Sequence, residues 1–178
     1  MRQYWVAPIP PLHTADGTAY ASSTTPTDVS PSPPIVLPAN ILELGSEIEL
    51  CAELTFSNTS TPTLLVGFYY GGIATGAVLA ASSAITTTTG ATNWPIMLRY
   101  RGIVRTIGTS GSIYGQGELL LGTALTAFSV RPIPEVAASR TVTIDTTAAK
   151  SITVGATWGT NSASNTLTCN DISVKLVT

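Results

Sequence analysis

Apolar and polar residues alternate along much of the chain with a period of two, the pattern of half-buried β-strands. In 47–56, five apolar side chains fall on one face and three glutamates fall on the other. The alternation recurs over 141–158 and 166–177, where serine and threonine are the polar partners. Threonine suits a pleated surface that is partly in water. Since we find no stretch with the spacing of an amphipathic helix, the pattern predicts an all-β chain.

Further strands follow from apolar runs bounded by glycine, proline and small polar residues. They are predicted at 64–70, 78–80, 95–107, within 108–122 and at 124–131. The run at 64–70 is apolar on both faces, which favours a central or covered strand. About eight or nine strands without a helix between them close as a jelly-roll-like antiparallel sandwich.

Two irregularities are predicted inside these strands. The apolar positions of 166–177 change parity near the middle, and a bulge at Asn170 and Asp171 would return them to one buried face. Gly115 and Gly117 interrupt another strand, which predicts a bulge or a tight bend at that point.

Residues 1–39 differ in composition from the rest of the chain. They hold eight of the twelve prolines, which exclude a helix and favour an extended arm. We therefore divide the chain into a Pro-rich N-terminal arm, 1–39, and a β-sandwich domain, 40–178. The arm would pack along its own sheet or onto a neighbouring subunit. Its candidate anchors are Trp5, Ile9, Leu12, Tyr20, Ile35 and Leu37.

Charges of opposite sign collect on two of the predicted strands. Three of the ten acidic residues share one face of 47–56, and three of the eight basic residues share one face of 95–107. Either these strands are neighbours in one sheet, or each face meets its opposite on another subunit. In the second case the seam of an oligomer would be formed by Glu47, Glu49, Glu53, Arg99, Arg101 and Arg105.

The low charge content narrows the functional classes. Only 10% of the residues are charged, against about 25% in an average soluble domain, while 44% are apolar. Such a surface is either covered by neighbours or coated by the hydroxyls of a plain sandwich. A net charge of −2 argues against a nucleic-acid binder. No apolar run is long enough to span a membrane, and prolines interrupt the N-terminal apolar patch where a signal peptide needs continuity.

Catalytic chemistry is not predicted. A Ser-His-Asp triad would require His13, the single histidine, and no nucleophile-elbow sequence is present. The glutamates of 47–56 could pair as in a glycosidase, but a sugar cleft is usually aromatic and the chain is only 7% aromatic. The glycine-rich 108–122 lacks the Gly-Lys-Ser/Thr of a phosphate loop. Cys51 and Cys169 are either two small buried hydrophobes or one bridge. We therefore expect no enzyme, no cofactor and no metal.

Several stretches, taken in order, resemble a known family. They are HTADGTAYASST, TDVSP, LPANIL, TSTPTLLVGFYYGG, IGTSGSIYGQG and TIDTTAAKSITVGATWGTNSASNTLTCNDISVKL. Together they are similar to small structural proteins of tailed bacteriophages, especially those of actinobacteria. These are called capsid decoration or minor capsid proteins, and sometimes minor tail proteins. The resemblance covers nearly the whole chain, and its most specific parts are 37–40 and 158–165.

The resemblance implies a jelly-roll homotrimer that sits on the outside of an icosahedral head and cements the shell by binding the major capsid protein. It implies no activity and no cofactor, and a place on the capsid exterior after synthesis in the bacterial cytoplasm. The glutamate and arginine faces would then form the trimer seam. The arm would contact the capsid through Tyr4, Trp5, Ile9, Leu12 and His13.

The alternative is a minor tail or fibre domain that binds a host-surface glycan, because jelly rolls are common among lectins and a fold does not fix a function. Carbohydrate sites usually need exposed aromatic side chains. Tyr69, Tyr70, Trp94 and Trp158 could supply them, although a place in the core or in an interface is favoured for all four.

Overall fold

The computed structural model describes residues 13–124, 126–135 and 140–177, together with the backbone of 6–8. This part of the chain is all β and forms two antiparallel sheets packed as a sandwich, which confirms the predicted jelly-roll-like class. It holds no helix long and apolar enough to cross a membrane. The strands are β1 (Val6–Pro8), β2 (Tyr20–Ala21), β3 (Thr27–Asp28), β4 (Ile35–Leu37), β5 (Glu47–Ser57), β6 (Thr63–Tyr70), β7 (Ala77–Ala81), β8 (Ile85–Thr86), β9 (Trp94–Thr106), β10 (Gly111–Ala124), β11 (Ala127–Ile133), β12 (Thr141–Ile144), β13 (Lys150–Trp158) and β14 (Thr166–Val177).

The large sheet has eight strands and is built around four long ones. Its main order is β1-β14-β5-β9-β10-β11, with β2 beside the start of β14 and β12 beside the start of β10. All neighbours are antiparallel. β11 lies at an edge, and among the described strands it pairs with β10 alone.

The small sheet has six strands in the order β3-β13-β6-β7, with β4 beside β13 and β8 beside β6. The strand predicted to be central from its two apolar faces is β6, and it does lie between β13 and β7. Five consecutive residues at its end are buried, because one face packs on the core and the other is covered as well.

The core lies between the two sheets and takes one face of each strand. In β5 the apolar face is buried while the glutamate face points outward, which matches the predicted period of two. The largest fully buried side chains are Trp158, Phe56 and Phe68. An aromatic side chain of this size buries about 150–250 Å², so these three anchor the contact between the sheets.

The described part of 1–39 lies along the sandwich's own sheets. β1 and β2 pair with β14, whereas β3 and β4 pair with β13. Three predicted anchors are core residues: Tyr20 is 6% exposed, and Ile35 and Leu37 are each 1% exposed. The described part of the arm therefore packs along its own sheets, the first of the two arrangements considered for it. Trp5, Ile9 and Leu12 lie outside the described residues, and the division of the chain at residue 39 stays a prediction.

The predicted bulge in the last strand is confirmed. The register of β14 against β5 shifts between Cys169 and Asp171, which leaves Asn170 as the extra residue. Cys169 before the shift and Ile172 after it are both buried. The bulge therefore returns the apolar residues to one face, as the change of parity requires.

The predicted bulge at Gly115 and Gly117 is wrong. β10 runs opposite β9 without a shift from Ile113 to Leu121. A Cβ at Gly117 would overlap the Arg99 carbonyl oxygen, and a Cβ at Gly115 would overlap the Tyr100 hydroxyl. These glycines are needed because β9 passes so close to β10 at this point.

Candidate functional site

The six residues predicted for an oligomer seam all lie on the outer face, the solvent side of the large sheet. β5 is the neighbour of β9, and the register sets Glu49 opposite Arg101 and Cys51 opposite Arg99. The prediction that the two charged strands are neighbours is therefore confirmed. The assignment of their charges to a trimer seam stays a prediction for Glu47, Glu49, Glu53, Arg99, Arg101 and Arg105.

Cross-strand rows make up the outer face, because directly opposed residues of neighbouring strands share a side of the sheet. One row consists of Lys175, Glu49, Arg101 and Gln116. The next consists of Ser173, Cys51, Arg99, Glu118 and Pro132. The third consists of Asp171, Glu53, Met97, Leu120 and Val130. Across the third row the face changes from charged, on the β14 and β5 side, to apolar, on the β10 and β11 side.

Two of the arginines bind glutamates of the same sheet. Arg101 donates to the Glu47 carboxylate from Nε and from Nη2, the latter at 2.6 Å, and these bonds raise the pKa of Arg101. Nη1 of Arg99 lies 3.5 Å from Oε1 of Glu118. Arg99, Glu118 and Arg101 are largely exposed, although Glu47 is 19% exposed, so these pairs set side-chain positions more than they stabilise the fold.

Five charged residues of this face have no ion-pair partner among the described residues: Arg105, Lys175, Glu49, Glu53 and Asp171. The Arg105 guanidinium lies 4.1 Å from the ring centre of Tyr114. Glu53 and Asp171 are directly opposite each other on β5 and β14, an arrangement that is destabilising for like charges. Arg105 and the acidic pair lie about 26 Å apart along the strands, because Glu53 is opposite Met97, which precedes Arg105 on β9 by eight residues.

An apolar corner occupies the β11 side of the outer face, and we define it as Met97, Leu120, Phe128 and Val130. Val130 is opposite Leu120 and is 62% exposed; Phe128, at the next outer position of β11, is 45% exposed. The corner sits on a strand whose second edge has no partner strand in the described part of the chain. Exposed apolar side chains clustered at a sheet edge are a common feature of surfaces that bind other molecules.

A groove of about 690 Å³ crosses the middle of the outer face. Its polar lining comes from the charged rows and includes Glu49, Arg99, Arg101, Gln116, Glu118 and Lys175. Tyr100, the aromatic residue in the lining, is 2% exposed and belongs to the core. The groove therefore offers hydrogen-bond donors and acceptors without an aromatic surface for a sugar ring to stack on.

The four aromatic residues considered for a glycan site are buried or half-buried, as the sequence favoured, and do not form an exposed platform. Trp158, Tyr70 and Tyr69 are 0%, 4% and 9% exposed. The half-buried Trp94 packs edge-on against Phe56. The Tyr70 hydroxyl donates to the Asp145 carbonyl oxygen at 2.8 Å, and burial together with the Asp145 charge raises its pKa to about 12.

The predicted capsid contacts of the arm are mostly outside the described residues; these are Tyr4, Trp5, Ile9 and Leu12. His13 is described and is half-buried, with Nε2 at 2.8 Å from the carbonyl oxygen of Pro33. The histidine thus fixes one part of the Pro-rich segment to another. Its contact with a capsid stays a prediction.

The cysteines are free, so the bridge considered for them is wrong. Cys169 is fully buried, and burial together with the Asp171 charge raises its pKa to about 12. Burial also raises the pKa of the half-buried Cys51, although the nearby Arg99 opposes the shift. Within the described ranges, no three His, Cys, Asp or Glu side chains are grouped so that they could hold a metal ion.

A junction at Glu135, which the sequence does not predict, joins the edges of the two sheets. The Glu135 carboxylate accepts hydrogen bonds from the Ser83 N–H at 2.9 Å, the Ser83 hydroxyl at 2.8 Å and Arg131 Nη1 at 2.6 Å. Its own N–H donates to the Ala81 carbonyl oxygen at 2.9 Å. Burial would raise the pKa of this carboxyl, but the bonds from Ser83 and Arg131 lower it on balance. Only the spacing of Arg131 and Glu135 was visible in the sequence.

Comparisons with known proteins give a fold likeness alone. No model of a protein family matches the chain, and no curated protein matches it. Among solved structures, it resembles the CBM2 module of the evolved Dit of Lactobacillus casei BL23 phage J-1. The TM-score is 0.38 at 8% identity, over 80% of this chain and 67% of that chain. Similarity at this level says nothing about the function of this chain.

Proposed function

We propose that this chain is a non-enzymatic structural protein of a tailed-phage particle, and specifically a capsid decoration protein that binds the outside of the head as a homotrimer. The observation that carries the proposal is the outer face. It is a broad sheet surface on which charged rows lie beside an exposed apolar corner, and such a surface suits contact with proteins. The resemblance of the sequence to phage decoration proteins supports the same assignment.

Shell stabilisation by such a protein follows from contact area and repetition. A stable protein interface buries about 1,600 Å² in total, and many copies of it add up over a shell without any catalysis. The major capsid protein is the proposed partner, with the N-terminal arm as the part that contacts it. The proposed location is the capsid exterior, after synthesis in the bacterial cytoplasm. No cofactor, nucleic acid or membrane is involved in this proposal.

The first experiment counts copies of the chain in purified particles by quantitative mass spectrometry. A decoration protein is expected at hundreds of copies per head, whereas a handful per particle would place the chain in the tail and refute the proposal.

The second experiment tests the arm without removing core residues. Deleting 1–39 would also remove Tyr20, Ile35 and Leu37 from the core, so that deletion would unfold the domain. Instead, Trp5 and Leu12 are both changed to Ser, with the exposed Val78→Ser on β7 as control. Binding to undecorated heads should fall in the double variant and persist in the control. Full occupancy by the double variant would contradict the proposed role of the arm.

A glycan-binding tail or fibre domain is the second candidate, and the groove of the outer face favours it. Arg99, Gln116 and Glu118 present planar polar groups there, of the kind that hydrogen-bond sugar hydroxyls. The burial of the candidate aromatic residues weakens this proposal. Binding of the purified chain to host cell-wall glycans, abolished by Gln116→Ala, would favour it over decoration.

A further inference from the structure

We infer that the open edge of β11 pairs with β11 of a second copy of this chain, antiparallel and about a two-fold axis at Val130. The contact continues the large sheet of one copy into the large sheet of the other. It goes beyond the proposed function and does not depend on it, since it can join two single chains or two of the proposed trimers.

Short segments cover the outer edges of the long strands β13 and β14. In the large sheet, β1 and β2 lie along β14, and in the small sheet β3 and β4 lie along β13. At the end of β7, the Glu135 N–H donates to the Ala81 carbonyl oxygen. β11 has seven residues, and among the described strands it pairs on one side alone. It therefore presents the longest uncovered strand edge in the described part of the chain.

The direction of the backbone bonds of β10 follows from one hydrogen bond. The Gly115 N–H donates to the Arg140 carbonyl oxygen at 3.0 Å, just before β12 begins. Gly115 therefore bonds on the side of β10 where β11 and β12 lie. Because alternate residues of an antiparallel strand bond opposite neighbours, Leu119 also bonds on this side, and Leu120 bonds β9. The register of β10 against β9 has no shift from Ile113 to Leu121, so this alternation is unbroken.

The same alternation decides which backbone groups lie on the free edge of β11. Val130 is opposite Leu120, so its N–H and C=O point away from β10. Phe128 and Pro132, two residues to either side, share this direction. Pro132 fits there because a proline at an outward position removes no bond from the ladder. No loop or turn of the described chain bonds these edge groups, so they are free to pair with a further strand.

This edge is complementary to a second copy of itself. Antiparallel pairing about Val130 lets the two Val130 residues exchange N–H···O=C bonds, and each Phe128 N–H donates to the Pro132 carbonyl oxygen of the other copy. The Phe128 carbonyl oxygen, at the end of the pairing, is left to water. The side chains match as well: Val130 lies beside Val130 and Phe128 beside Pro132, all on the outer face. The pairing covers Val130 and Phe128, which are 62% and 45% exposed in one copy.

No charge on β11 opposes this pairing. Natural sheets keep free edges apart with lysine and other charged side chains. The one charged residue of β11 is Arg131, which lies on the side of the strand opposite to Val130 and is held by Glu135. A strand of another protein would offer the same backbone bonds. The self-complementary order of apolar side chains is what favours a second copy.

The first test is a disulfide between copies of the purified full chain carrying Cys51→Ser. Val130→Cys places two thiols directly opposite each other, with Cα atoms about 5.5 Å apart, a distance that a disulfide spans. Phe128→Cys is the matched control on the same strand and face, because the register keeps its two thiols about 13 Å apart along the strands.

Air oxidation, read on a non-reducing gel, should give covalent pairs of chains with Val130→Cys and few with Phe128→Cys. Absence of an excess of pairs in the first variant would overturn the inference. Equal pairing in both variants would also overturn it, since it would show random collision or another register.

The second test removes the backbone donor at the axis. Val130→Pro loses an N–H that the fold itself does not use, whereas the control Val130→Thr keeps the N–H and the branched side chain. In sedimentation equilibrium at up to about 1 mM, Val130→Pro should raise the dissociation constant of the pair about tenfold or more, and Val130→Thr should change it by less than about threefold.

Three results of this second test would contradict the pairing: a wild type that stays unpaired, an unchanged constant in Val130→Pro, and a Val130→Pro chain that fails to fold. The last would show that the Val130 N–H belongs to the ladder with β10. A chain that pairs as inferred but does not bind phage heads would refute the proposed function and leave this contact in place.

Discussion

Replacing Glu135 with alanine tests how the edges of the two sheets are held together. The change removes three hydrogen bonds to one carboxylate, two from Ser83 and one from Arg131. Hydrogen bonds to a charged group contribute about 1.5–3 kcal/mol, and exposed ion pairs contribute about 0.2–1 kcal/mol. Because the three bonds share one carboxylate whose side chain is 22% exposed, we count them together as one hydrogen bond to a charged group plus the ion pair with Arg131. The expected loss in the free energy of unfolding is about 2–3 kcal/mol.

The stability that Glu135 contributes should depend on pH in a known direction. The pKa of the Glu135 carboxyl is lowered in the folded protein from an ordinary value of 4.5. The folded state therefore gains stability from this group at every pH above 4.5, and the gain is lost as the pH falls through the lowered pKa. Glu135→Gln, which carries no charge, should differ most from the wild type at neutral pH. The two should converge in acid.

Thermal unfolding followed by circular dichroism measures the effect. A loss of about 2–3 kcal/mol corresponds to a fall in melting temperature of about 5–10 °C for a chain of this size. Glu43→Ala is the control, because it removes an exposed carboxylate for which no ion pair is found among the described residues. If Glu135→Ala melts with the wild type, or if its deficit is the same in acid as at neutral pH, the carboxylate is not what joins the sheets.

Three further predictions concern the interior. Gly117→Ala should destabilise by at least about 2 kcal/mol in urea denaturation, because its Cβ would overlap a β9 carbonyl oxygen; an unchanged midpoint would contradict the close approach. Trp158→Ala should cost about 3–5 kcal/mol in the same assay, since the ring is fully buried, and a cost below 1 kcal/mol would be inconsistent with that burial. Cys169 should resist alkylation at mildly alkaline pH until urea is added, because burial raises its pKa to about 12; rapid native labelling, read by mass spectrometry, would show an open thiol.

The long strands were predictable because the alternation that defines each of them lies within its own sequence. β5 was predicted at 47–56 and is found at Glu47–Ser57, since alternation of apolar and polar residues is a property of the strand itself. The same local logic located the bulge at Asn170, where the parity of the apolar positions changes. The period of two also assigned the glutamates to one face of β5 and the arginines to one face of β9. That these two faces lie side by side was one of two alternatives, and the pairing of β5 with β9 decides it.

The short strands were not predictable, because their partners are distant in the sequence. β3 and β4 have two and three residues, and they are strands only because β13 accepts them more than a hundred residues later. The Glu135 junction has the same cause, since Ser83 lies 52 residues away. Gly115 and Gly117 were misread because a glycine needed for a close approach looks the same in the sequence as a glycine in a bulge.

The few charged residues of this chain are concentrated on the outer face. Of ten acidic and eight basic residues, five acidic and four basic ones lie on that face: Glu47, Glu49, Glu53, Glu118, Asp171, Arg99, Arg101, Arg105 and Lys175. When charges are few, they increase solubility most if they lie beside exposed apolar side chains. Here the charged rows border the apolar corner. Charges of both signs at fixed positions would also give a partner one favoured register, because a partner shifted along the face would meet like charges. The concentration of charge on one sheet face is therefore what a surface needs if it must stay dispersed before assembly and be specific during it.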